Sequence, residues 1–153
     1  MIPVDQQRGH DCLRACLASM FEMRYQEVPQ FGGEGTPEET EGRGWKQDLD
    51  LAEWLEKRGM GFLRLPEVSK QLAKNKSARL PWGIAIAEGP SPRGNWVHAC
   101  VYDCRDKANP VRLHDPHPSR MFFAGQRGTI QADLSLITDW MCLAVVDPAK
   151  MHG

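Results

Sequence analysis

Helical periodicity occupies the first part of this chain and short β-rich runs the second half, and that order leaves few architectures open. Asp11 is followed by CLRACLASMFEM, twelve residues without Gly or Pro. Within it Leu13, Cys16, Leu17 and Met20 recur at the i, i+3, i+4, i+7 spacing of an apolar helix face. Asp11 stands at the N-cap of this helix, so Cys12 opens it. A second helix is expected over Trp45 to Arg58, with Leu51, Trp54 and Leu55 on one face and Gly59 beyond its end. Between the two, Gly32 to Gly44 carries five glycines, one proline and four glutamates, and reads as a long mobile loop. Gly61 to Leu65 reads as a short strand, and Glu67 to Lys74, behind Pro66, as a short exposed helix. Trp82 to Ala87, Asn95 to Asp103, Val111 to Asp115 and Trp140 to Asp147 read as strands bounded by turn residues. Helices first and strands afterwards predict an α+β fold, a helical lobe packed on an antiparallel sheet.

The chain's 153 residues make one domain, 1–153, the expectation. Nineteen Lys and Arg against twenty Asp and Glu give a net charge of −1. That balance lacks the basic excess of a nucleic-acid binder and the polybasic segment of a lipid-surface protein. No apolar run reaches the roughly 20 residues of a membrane span. The opening MIPVDQQRGHDC has no apolar segment behind a basic one, and the five cysteines are an odd number. Together these predict a reducing, cytoplasmic setting with mostly free thiols.

Cys12 is the first candidate for chemistry. A helix N-terminus offers the positive end of the macrodipole and unpaired N–H groups, which stabilise negative charge on the sulfur and on a nearby oxyanion. Such a cysteine needs an imidazole to take its proton and a third group to orient the imidazole. In WVHACVY, strand alternation puts Val97, Ala99 and Val101 on one face and His98, Cys100 and Tyr102 on the other, and His98 is expected to meet the helical lobe. Asp115 ends the next strand and would lie beside His98 if the two strands form a hairpin. Gln6, six residues before Cys12, could supply a second donor to an oxyanion. Each residue alone has a plain structural explanation: Cys12 a small buried hydrophobe, His98 a satisfied strand residue, Gln6 polar surface. The combination favours catalysis.

The segment QQRGHDCLRACLASM resembles the active-site motif of papain-like bacteriocin-processing peptidases, the cysteine-protease domains of peptide-exporting ABC transporters. Val97-His98-Ala99 and Asp115-Pro116 resemble that family's later His and Asp-Pro. Ser91-Pro-Arg-Gly and His114-Asp-Pro-His-Pro-Ser are similar to small stand-alone members encoded in bacteriophage and prophage genomes. The resemblance implies a papain-like fold with Cys12 as nucleophile, His98 as general base and acid, Asp115 as its orienter and Gln6 in the oxyanion hole. It also implies a protein or peptide substrate, no cofactor and no metal. Leu13 stands where the exporter peptidases carry Gly, so the cleft differs from theirs there.

Two other functions compete with a peptidase or amidase. An acyl transferase would use the same residues with an amine in place of water. A non-catalytic binding protein could instead be held by metal: Cys12 with Cys16 and Cys100 with Cys104 are spaced like zinc-ligand pairs, and His114 and His117 add imidazoles. Against zinc, Cys16 falls on the apolar stripe, and Cys100 and Cys104 would lie roughly 13 Å apart on a strand. His10, His117, Arg120 and Trp96 flank the candidate site: the first three read as loop or turn residues, and Trp96 either shields the ion pair from water or packs in the core. Trp45, Trp54, Trp82 and Trp140 are assigned to packing.

Overall fold

The computed structural model describes residues 1–33, 39, 42–66, 83–106 and 109–152. Among the described residues, three α-helices, α1 (Cys12–Phe21), α2 (Gly44–Glu56) and α3 (Ile130–Leu136), surround a five-stranded sheet. Its strands are β1 (Met60–Pro66), β2 (Ile84–Pro90), β3 (Val97–Asp103), β4 (Val111–His114) and β5 (Asp139–Val145). They lie in the order β1-β5-β2-β3-β4, every neighbouring pair antiparallel. The fold class is α+β. Most of the Gly32–Gly44 stretch, the expected helix at 67–74 and Trp82 lie outside the described residues. No helix among the described residues is long and apolar enough to cross a membrane.

The sheet is buried on both faces, which explains why its central strands read as nearly continuous apolar runs. On one face Leu17 of α1 and Leu51 and Leu55 of α2 pack against Ile86, Val101 and Met141, all fully buried. On the other, Ala87, Cys100, Tyr102 and Trp140 pack against Phe122, Phe123 and Ile137, with Leu134 of α3 alongside. Each fully buried Leu or Ile contributes about 1.5–3 kcal/mol relative to exposure. Tyr102 anchors the second face: its hydroxyl donates to Asp133 at 2.9 Å, and Asp133 also pairs with Arg112 and accepts from the Ala124 N–H. Alternation predicts β3 correctly, but its helix-facing side is the Ala99 and Val101 side. The assignment of faces is therefore corrected: α1 covers the Ala99 and Val101 side, and His98, with the parity of Cys100 and Tyr102, meets Phe123 edge-on and reaches the helical lobe only at the first residue of α1, Cys12.

Three further differences have local causes. Asp11 occupies the N-cap position of α1, but its side chain makes no capping bond and its carboxylate is buried, 3.8 Å from His10 Nε2. Helix α3, unforeseen in the sequence, is capped by Thr129, whose hydroxyl accepts from the Ala132 N–H at 3.1 Å. Trp45 is 68% exposed rather than packed, whereas Trp54 is half-buried against Phe21 and Phe31 and Trp140 is buried. Gly59 does follow α2 with φ +72°, and a Cβ there would lie 2.0 Å from the Asp147 carbonyl oxygen.

Candidate active site

Helix α1 lies across β3, with Cys16 Sγ 3.5 Å from the Ala99 carbonyl oxygen, so its first residue stands over the start of that strand. There Cys12 shares a hydrogen bond with His98, and the His98 Nε2–H donates to Asp115 Oδ1 at 2.8 Å. Three of the four residues singled out in the sequence thus converge from positions far apart in the chain.

A β-bulge makes the third member possible. Tyr102 pairs with Arg112, but Val101 pairs with His114, so Leu113 is the extra residue in β4. Without it, Asp115 would lie opposite Ala99, on the face covered by α1. With it, Asp115 falls on the side of Cys100 and His98. The turn that follows then closes around the carboxylate. Asp115 Oδ1 also accepts from the His117 N–H at 2.9 Å and Oδ2 from the Phe122 N–H at 2.7 Å. Arg120 and Phe122 adopt left-handed backbone, at φ +52° and +51°. These contacts hold that strained turn in place.

The electrostatics follow from burial and pairing. Burial, the largest influence, pulls the His98 pKa down, but hydrogen bonds and charge from Asp115 and Cys12 outweigh it and hold the ring at about 9. Burial likewise raises Asp115, yet the hydrogen bond and charge of His98 and the two backbone N–H groups bring it to about 2. Burial pushes the thiols of Cys16 and Cys100 well up, Cys104 to about 12 and Cys142 to about 11. Those four cysteines are 0–2% exposed, whereas Cys12 is 8% exposed and opens into a cleft of ≈ 290 Å³.

The cleft runs from His10, Cys12 and Leu13 past Trp96 and Ala99 toward Arg64 and Glu88. Its far end is braced by an ion-pair network: Arg64 grips Asp48 of α2 with two bonds, at 2.8 and 3.0 Å, and Glu88 of β2 with one, at 2.7 Å. Burial raises the Glu88 pKa, against the opposing pull of Arg64. His98 and Asp115, 1% and 0% exposed, sit behind the sulfur, screened from water. Trp96 stands on the cleft wall with its ring over Gly94, where a Cβ would come within 2.0 Å of it.

Comparison with protein-family models, with curated proteins and with solved structures finds no match for this chain. The site must be read from its own chemistry.

Gln6 is the fourth predicted residue. Its backbone N–H donates to the Pro116 carbonyl at 2.9 Å, tying the loop before α1 to the turn after Asp115. Its side chain is bonded within its own loop, Nε2 donating to the Arg8 carbonyl at 2.7 Å, and Oε1 is buried without a partner. The zinc pairs do not assemble. All five cysteines are free, and the ligand atoms that cluster among the described residues belong to His98, Cys100 and Asp115. His114 instead bonds the Val4 carbonyl, and Arg120 pairs with Asp5 away from the cleft. His10, by contrast, is half-buried and lines the cleft. Sequence reasoning missed Arg93, whose Nη2 lies 3.3 Å from His98 Nε2, and Ser119, which holds it. Only the fold of the β2–β3 hairpin brings Arg93 back to the imidazole, and no spacing in the sequence signals it.

Proposed function

We propose that this protein is a papain-like cysteine peptidase or amidase, cleaving a peptide or isopeptide bond in a protein or peptide substrate. The observation that carries the reading is one line of contacts. A cysteine at a helix mouth opens into a cleft and bonds an imidazole whose far nitrogen is held by a buried carboxylate. The resemblance of the Gln6–Met20 segment to bacteriocin-processing peptidases supports the same assignment. In the proposed reaction Cys12 Sγ attacks the acyl carbon and its proton resides on His98. Nε2 is occupied by Asp115, so Nδ1 carries that proton. The backbone N–H of Cys12, which has no intrahelical acceptor, is the donor for the oxyanion; Gln6, whose amide is turned to the Arg8 carbonyl, would have to swing toward the cleft to add a second. Collapse breaks the C–N bond, and His98 delivers the proton to the leaving amine. Water, deprotonated by His98, then attacks the thioester, releasing the carboxylic acid and returning the proton to sulfur.

The test is intact-mass labelling at neutral pH with iodoacetamide and, on separate unlabelled protein, incubation with a mixed peptide library. A single adduct is expected, absent in Cys12→Ala, retained in Cys16→Ala and at least about tenfold slower in His98→Ala, where the proton acceptor is gone. New peptide termini should appear with the wild type and not with Cys12→Ala. An adduct that persists in Cys12→Ala, or termini formed equally by that variant, would overturn the assignment.

A further inference from the structure

Arg93 occupies an unusual place. The hairpin loop that carries it is fixed at its base, where the Ser91 N–H donates to the Trp96 carbonyl at 2.9 Å and Ser91 Oγ accepts from the Arg93 N–H at 3.1 Å. At its far end the guanidinium is tethered in turn: Nη1 donates to Ser119 Oγ at 3.0 Å. The proton directions along this chain can be assigned. The Ser119 N–H donates to His117 Nδ1 at 3.1 Å, so that nitrogen carries no proton. Ser119 Oγ, 2.8 Å from the same nitrogen, must therefore donate to it, leaving its lone pairs for Arg93. At His98 the logic reverses. Nε2–H already donates to Asp115, so the Arg93 Nη2 at 3.3 Å is a donor facing a donor. Such a contact is repulsive and persists only where other bonds hold the guanidinium in place, and Ser119 supplies one.

We propose that Arg93 is a positioning residue for the Cys12 reaction: tethered through Ser119 and His117, its guanidinium presses on the Asp115-facing nitrogen of His98, opposes the doubly protonated ring and makes it a readier proton donor to a leaving amine. Asp115 and Cys12 favour the imidazolium, and unopposed they would leave a ring that gives up its proton slowly. Arg93 counterbalances them from the side away from the sulfur. The titratable and charged groups around the ring are Cys12 from α1, Cys100 on β3, Asp115 and His117 from the turn after β4, and Arg93 itself. Burial and the Arg93 charge also keep His117 neutral, which preserves its role as acceptor for Ser119.

This inference deepens the peptidase reading, but its test needs no substrate. The His98 ring is titrated by NMR in the whole protein for wild type, Arg93→Gln, Arg93→Lys and Ser119→Ala. Loss of the charge in Arg93→Gln should raise the titration midpoint by about one pH unit. Arg93→Lys, which keeps the charge, should stay near wild type, and Ser119→Ala, which frees the guanidinium, should move part of the way toward Gln. An unchanged or lowered midpoint in folded Arg93→Gln overturns the proposal. Should that variant fail to fold, the Ser119→Ala midpoint decides in the same way. An unmoved ring would leave peptide cleavage by Cys12 standing. A shifted ring in a protein with no Cys12-dependent cleavage would sink the peptidase reading while leaving the electrostatic role of Arg93 intact.

Discussion

Asp115→Asn isolates the contact on which the site depends. The carboxylate is fully buried and accepts three hydrogen bonds, from His98, His117 and Phe122. Asn keeps the shape and one oxygen, removes the charge and turns one acceptor into a donor. Burial works against both charges of the pair, yet Asp115 is brought from 3.8 to about 2 and His98 from 6.5 to about 9. The ring rises further than the carboxyl falls because Cys12 pulls on it too. The carboxyl's drop sums the pull of His98 and of the two backbone N–H groups against burial, and is worth on the order of 2 kcal/mol in all. Without that interaction burial has less to oppose it, and His98 should titrate clearly below about 9. If the amide oxygen stays toward His98, the buried Phe122 N–H faces an NH₂ group, adding about 1–3 kcal/mol. The loss of stability at neutral pH is then on the order of 2–4 kcal/mol, the Phe122 bond counting once. Urea unfolding measures that loss, and NMR titration of the ring measures the shift. The wild-type advantage should be full above pH 3.8 and shrink as pH falls toward 2, because the folded carboxylate stays ionised there while the unfolded one protonates. A folded Asp115→Asn protein whose ring still titrates near 9 would refute the reasoning.

Asp133→Ala should cost about 2–5 kcal/mol in urea unfolding, since the buried Tyr102 hydroxyl and the Ala124 N–H both lose their acceptor; a loss under 1 kcal/mol would argue against that anchor. Gly59→Ala combines a left-handed backbone with a Cβ 2.0 Å from a carbonyl oxygen, and should destabilise by at least about 1–2 kcal/mol in thermal melts, with little effect on Cys12 labelling. In the wild type, the stability contributed by His98 is complete below pH 6.5 and lost as pH rises through about 9, because the folded ring keeps its proton after the unfolded one has released it. Urea midpoints should therefore fall between pH 6.5 and 9, and His98→Gln should flatten that decline; an equal decline in the variant would assign it elsewhere.

The sequence by itself determined the class of the fold and marked Cys12, His98 and Asp115 as residues to watch, because helix and strand periodicity are local signals. Apolar spacing marks α1 and α2, β-branched runs bounded by turn residues mark β2 to β5, and an Asp before the first apolar-periodic residue marks where α1 begins. Even the short helix α3 left a trace in Thr129 and the apolar Ile130 and Leu134 that follow it. The tertiary structure decided the rest through relations between distant segments. Both faces of the sheet are buried, so alternation could not tell which one α1 covers: it covers the Ala99 and Val101 side, and His98 reaches α1 only at its mouth, through Cys12. Leu113 carries no mark of a bulge, yet that one extra residue moves Asp115 across the sheet to the imidazole. Arg93 is five residues from His98 in sequence, but its guanidinium reaches the ring only because a hairpin turns back and Ser119, on another loop, holds it there. Periodicity records which way a side chain faces along its own element; which element it meets depends on register and crossing, and those are settled only when the layers pack.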